Sequence, residues 1–114
     1  MRGVAGDHAA LEDMLRYGSL VQAHTSAGRA SIADQLSLHG VLWELAVIGE
    51  AANRVSRETR DAHPEVPWQK IIAQRNILVH VYDEIDVDLL WRAVVALPDL
   101  QGQVKVILEE LGEP

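Results

Sequence analysis

Between residues 38 and 55 the apolar positions Leu38, Val41, Leu42, Leu45, Ile48, Gly49, Ala52 and Val55 recur at steps of three and four. That period places them on one side of a helix, and so wide an apolar stripe is stable in water only against another apolar surface. The helix must therefore be central to a core. Elsewhere no stretch alternates apolar and polar residues long enough to suggest a sheet, phenylalanine is absent, and Ala, Leu, Glu, Gln and Arg abound. The expectation is an all-α fold. A chain of 114 residues is near the commonest domain size, so residues 1–114 are read as one domain, with residues 1–6 flexible.

The remaining elements follow from caps and breakers. A first helix starts at Asp7, read as its N-cap, carries Leu11, Met14, Leu15 and Val21 inward, and fades near Gly28. Ser31 and Asp34 form a capping pair for the central helix. The run His63-Pro64-Glu65-Val66-Pro67 interrupts helical periodicity, and Pro67 suits the first turn of a third helix beginning at Trp68. Acidic residues from Asp83 to Asp88 make the next turn and cap a fourth helix with Val87, Leu90, Trp91, Val94 and Val95 inward. Pro98 kinks or ends that helix, and Val104, Ile107, Leu108 and Leu111 define a last amphipathic piece. Short connections then imply an antiparallel up-down bundle of four to five helices. Trp43, Trp68 and Trp91 each lie in an apolar stripe and read as core or interface anchors.

Charge and cysteine content narrow the function. The formal net charge is -7, with 10 Lys and Arg against 17 Asp and Glu. A protein that coats nucleic acid needs an extended basic face, so this balance counts against one, while leaving room for a small basic site that meets one or two phosphates. Without cysteine there is no disulfide, thiolate nucleophile or cysteine-ligated zinc, and the cytoplasm is the expected compartment. Every long apolar stretch is interrupted, as by Glu44 and Glu50, so no membrane span is expected. His8, His24, His39 and His63 lack metal-ligand spacing, and no metal or other cofactor is anticipated.

The chemistry concentrates in Arg75-Asn76-Ile77-Leu78-Val79-His80-Val81-Tyr82. An arginine, an amide, an imidazole and a phenol inside an otherwise apolar segment are either paired within the protein or kept for a ligand, because burying them unpaired is costly. Pairing of Arg75 with Glu50 or Asp83 is the plain structural alternative. If the third helix runs through the octet, Arg75 and Tyr82 lie within about 20° of each other, while Arg75 and His80 are about 140° apart. The last two then converge only if the helix ends or bends near His80, or if a second molecule completes the pocket. Trp68, Ile71, Ile72, Ile77, Leu78, Val79 and Val81 leave this helix apolar on nearly every side, so a two-fold homodimer is expected to cover part of it. Arg54, Arg57 and Arg60, at three-residue steps late in the central helix, read as a solvated face paired internally with Glu50 and Glu58 rather than as an RNA path.

The octet resembles the R-N-x-x-x-H motif of the HEPN superfamily and, with Tyr82, the R-x4-H-x-Y form of its HepT-like toxin branch. Residues 45–52 (LAVIGEAA), Pro64-Glu65-Val66-Pro67-Trp68 and Ile85-Asp86-Val87-Asp88-Leu89-Leu90-Trp91 resemble further segments of that branch, in its order, over roughly residues 36–111. Val81 stands where members often carry glycine, and the first helix shows little similarity.

The resemblance implies a helical homodimer and metal-independent cleavage of RNA by the toxin of a toxin-antitoxin pair. The residue types suit that chemistry. RNA supplies its own nucleophile, and His80 has the intrinsic pKa to move a proton near neutrality. Arg75 is the planar donor for phosphate oxygens, and Asn76 can hold the scissile phosphate or the imidazole. The resemblance further implies that a minimal nucleotidyltransferase antitoxin transfers AMP to Tyr82, placing an anionic phosphate where RNA would bind. The competing reading, from another class, is a noncatalytic adaptor that binds a nucleotidyltransferase and presents substrate to it.

Overall fold

The computed structural model describes residues 2–79 and 84–112. Among them are helices α1 (Arg2–Ala5), α2 (Asp7–His24), α3 (Gln35–Arg54), α4 (Arg57–Ala62), α5 (Trp68–Ile72), α6 (Gln74–Leu78) and α7 (Val87–Leu111), with a 3-10 turn at Gly28–Ile32. The described residues are helical, with one isolated bridge between Val79 and Ile85 and no strand. The fold is all-α.

Side-chain pairing gives the topology. Asp13 on α2 meets Arg54 on α3 at 2.6 Å, and His24 meets Glu44 at 2.8 Å, so advancing along α2 means retreating along α3. By the same logic Gln101 Nε2 donates to the Leu15 carbonyl at 3.1 Å, and Arg29 pairs with Asp88, which makes α7 antiparallel to α2. The third arm is the pair α5 and α6, whose contacts at Ile71 with Gly49 and Gln74 with Leu45 run against α3. An up-down four-helix arrangement results, with its third helix broken at Ala73. Leu11, Met14 and Val21 of α2, Leu45 and Ile48 of α3, and Leu90, Val104 and Ile107 of α7 fill the core.

Several local expectations change. Gly6, not Asp7, is the N-cap of α2, and it makes no side-chain cap bond. Asp7 is instead fully buried: its Oδ1 accepts the Ser56 backbone N–H at 2.7 Å, and its Oδ2 accepts the hydroxyls of Ser56 at 2.7 Å and Thr59 at 2.5 Å. Ser56 in turn caps α4 through the Thr59 N–H. A carboxylate 49 residues away thus holds the cap that separates α4 from α3, a contact no local pattern foretells. At the start of α3, Asp34 alone caps, accepting from Ser37 N–H at 2.9 Å, while Ser31 belongs to the 3-10 turn.

Pro98 neither ends nor divides α7, which runs 25 residues through it. Proline removes one helical hydrogen bond, and here it does so on the exposed side, where water can serve the freed carbonyl. Val95 is exposed rather than inward, because Val94 and Leu97 already take the core-facing positions of that turn. Trp68 is buried and Trp91 partly so, but Trp43 is 64% exposed on α3 and is no core anchor.

Asp7→Ala leaves three donors, the Thr59 hydroxyl buried and the Ser56 N–H and hydroxyl half-buried, without their acceptor and is expected to cost roughly 3 kcal/mol in urea unfolding. The Asp34 carboxyl is held below its ordinary value of 3.8 chiefly by the Ser37 N–H. Its cap therefore stabilises the fold above that pH and is lost as pH falls through the depressed value, so Asp34→Ala should lower Tm at neutral pH and converge with wild type in strong acid.

Candidate functional site

The arm from Pro67 to Leu78 is built around two anchors on α3. Trp68 opens α5 with its ring buried and its Nε1 donating to the His63 carbonyl at 2.9 Å. One turn on, the Ile71 carbonyl oxygen lies where a Cβ on Gly49 would meet it at 2.6 Å, so only glycine allows the approach. The second anchor is Gln74, whose Nε2 donates to the Leu45 carbonyl at 3.0 Å. With Ile71, Gln74 and Leu78 directed at the bundle, Arg75 and Asn76 come out on the solvent side, and both are exposed.

α6 then stops. The Leu78 carbonyl accepts the Asp86 N–H at 2.8 Å, Val79 is extended, and it pairs in antiparallel sense with Ile85. Within the described part of the octet the helix ends at Leu78 and Val79 is extended, and the stripe expected to join Arg75 and Tyr82 falls partly outside the described residues. The Asp86 side chain simultaneously caps α7 through the Leu89 N–H at 3.0 Å, which fixes where the chain re-enters the bundle. His80 and Tyr82, together with Val81 and Asp83, lie outside the described residues.

The plain structural alternative for Arg75 fails in part. Among the described residues no carboxylate lies within ion-pair distance of its guanidinium, Glu50 included. Asp83, the other partner considered, is outside the described residues. Beside α6 runs a largely apolar trough of about 360 Å³, lined by Leu45, Ile71, Ile77, Leu78, Leu97 and Leu100 and bordered by Lys70 and Arg92. Ile77 is 41% exposed next to it, so the apolar excess foreseen for this helix is real, although smaller than the sequence suggested.

The three arginines read as one paired face divide. Arg54 closes α3 and pairs with Asp13, not with Glu50 or Glu58. Arg57 and Arg60 fall on the separate helix α4 and, with Lys70, line a basin of about 890 Å³. The three-residue spacing of the arginines was the available signal. Lys70 carried none, because its neighbourhood depends on how the proline-containing connection folds.

An up-down helical bundle thus presents an exposed arginine, without a carboxylate partner among the described residues, and its neighbouring asparagine shortly before the third helix ends. The chain belongs to the HepT-like ribonuclease family, which matches it over residues 11–107. A relative from Methanocaldococcus jannaschii, named as a candidate RNase, is 34% identical over 77 residues, covering 67% of this chain and 71% of its own. Another so named, from Caldanaerobacter subterraneus subsp. tengcongensis, is 31% identical over 80 residues, covering 69% and 71%. A protein of Thermococcus cleftensis named "Probable ribonuclease HepT" is 33% identical over 73 residues, covering 63% and 66%. No solved structure matches the chain. By family the protein is a ribonuclease.

Gly49→Ala forces the α5 backbone away from α3. It is expected to cost about 2 kcal/mol in stability, and to lower RNA cleavage at temperatures where the variant remains fully folded.

Proposed function

We propose that this ribonuclease is a metal-independent endoribonuclease toxin whose reacting groups are Arg75, Asn76 and His80. The observation that carries the reading is an exposed arginine, free of any carboxylate among the described residues, in the first turn of α6 and five positions before the histidine. In a -7 chain a guanidinium with no carboxylate partner among the described residues favours a ligand of opposite charge.

The reaction needs no cofactor. A base removes the proton of the ribose 2′-hydroxyl, whose oxygen attacks the adjacent phosphorus. The P–O5′ bond breaks, and an acid delivers a proton to the departing oxygen. His80 takes one of these proton-transfer roles. Arg75 donates to the phosphate oxygens as negative charge gathers there, and Asn76 orients the phosphate or the imidazole. A two-fold homodimer seated over Ile77 and the adjoining trough would cover apolar surface and bring two such sets together, one from each protomer.

The antitoxin in this reading is a minimal nucleotidyltransferase. It acts on Tyr82: the phenolic oxygen attacks the α-phosphorus of ATP, pyrophosphate departs, and the AMP left on the tyrosine offers its phosphate to the cation RNA would otherwise meet. The family's ribonuclease assignment and the nearness of Tyr82 to His80 in sequence support this regulation.

Cleavage of a labelled single-stranded RNA in EDTA tests the chemistry. Wild type should cut, and His80→Ala and Arg75→Ala should each be slower by at least about a hundredfold. Equal rates in all three would reject these roles. Co-expression with a minimal nucleotidyltransferase antitoxin should raise the intact mass by AMP units, and Tyr82→Phe should abolish the increase.

A further inference from the structure

The acidic total hides a local excess of positive charge. Among the described residues Arg16, Arg29 and Arg54 are tied to Asp13 or Asp88, whereas Arg57, Arg60 and Lys70 have no carboxylate within ion-pair distance. These last three line one concavity, formed by α4, the Pro64–Pro67 connection and the first turn of α5. Its volume, about 890 Å³, is in the range of a ligand site. Asp61 also lines it but pairs with none of the three, so the local balance stays positive.

Two details separate this basin from an ordinary solvated face. The Nε–H of Arg60 is buried and has no hydrogen-bond partner in the fold, an arrangement that costs free energy unless something else accepts the bond. The walls are also fixed. Trp68 and Val66 are buried, Trp68 is bonded to the His63 carbonyl, and the His63 ring bridges Glu65 and Glu110 at 3.0 Å each, pinning the connection to the end of α7. That bridge also engages the Glu65 carboxylate, which would otherwise compete for the cations. Its proximity to His63 helps to hold the Glu65 carboxyl below its ordinary range, after the effect of the residue's own backbone N–H.

Position completes the argument. Lys70 borders both this basin and the trough beside α6, and Arg75 follows it by five residues along the same arm of the bundle. Five residues of helix rise about 7.5 Å and turn about 140°, and the break at Ala73 falls between the two. We propose that Arg57, Arg60 and Lys70 form a phosphate-binding subsite that holds the backbone of single-stranded RNA away from the cut, guiding the strand past Lys70 toward Arg75. The inference rests on the ribonuclease reading above and adds to it the path of the substrate. A bound strand meets the Arg60 side chain within the basin and a cation pair of Arg57 and Lys70 at the exposed lip. Recognition is of charge and backbone, without base preference.

The test uses the full chain and two single-stranded RNA substrates, one long and one only a few nucleotides. The double variant Arg57→Gln/Lys70→Gln changes exposed side chains, and Arg60→Gln is a second probe, each checked by thermal melting. Affinity is measured on the His80→Ala background by fluorescence anisotropy over a salt series. The double variant should weaken binding of the long RNA roughly tenfold near 0.1 M salt, and lower the salt slope by about 1.4, the value for two phosphate contacts on a single strand. In cleavage, KM for the long substrate should rise with kcat unchanged, and the short substrate should be cut as by wild type. Variants that match wild type in affinity, salt slope and KM on the long RNA overturn the subsite while leaving the ribonuclease intact. Lost binding of the co-expressed nucleotidyltransferase with RNA affinity preserved reassigns the basin to protein docking and also overturns it. A wild-type chain that neither binds nor cuts RNA removes both readings.

Discussion

Where α3 passes α5 the two backbones touch, because position 49 carries no side chain and the Ile71 carbonyl occupies the space a Cβ would need. α5 and α6 are five residues each, too short to persist as helices on their own. They exist because α3 offers two seats one turn apart: the bare backbone at Gly49, and the Leu45 carbonyl, which takes the amide of Gln74. Everything that follows along the chain inherits its position from those seats. Arg75 and Asn76 are outward because Ile71, Gln74 and Leu78 are inward, and the helix ends at Leu78 because the Asp86 N–H takes its carbonyl.

The acidic residues are spent largely on structure. Asp7 holds the cap of α4, Asp34 and Asp86 cap α3 and α7, Asp13 serves Arg16 and Arg54, and Glu44 accepts from His24. Engaged in this way, they are unavailable to Arg57, Arg60, Lys70 and Arg75, none of which has a carboxylate partner among the described residues. Net charge is thus a poor guide to what a polyanion meets at the surface, since the field near a site depends on which charges are neutralised in place. A -7 chain can carry a phosphate-binding arm if its carboxylates are committed elsewhere.

Most of the fold was legible in the chain. The stripe from Leu38 to Val55 is the buried face of α3, as its period required, and Pro67 marks a real boundary, but the central helix stops at Arg54 instead of running on through Arg60. The third helix was placed correctly at Trp68 but read as continuous through Tyr82, because periodicity cannot register a carbonyl captured by an amide eight residues further on. Pro98 misled in the opposite direction. A proline is a strong breaker in isolation, yet α7 packs against α2 and buries Leu90, Val94, Leu97, Val104 and Ile107 on both sides of it, and that burial outweighs one missing hydrogen bond.

Residue order alone determined the all-α class, the central helix, the family and the types of group available at positions 75 and 76, since these rest on local period and motif spacing. Only the tertiary structure decided that Asp7 turns inward to serve α4, that Arg54 parts company with Arg57 and Arg60, and that Lys70 joins them at one concavity. Each is a meeting of segments distant along the chain, and which of several equivalent charges pair is set by helix packing that brings some within 4 Å and leaves others apart.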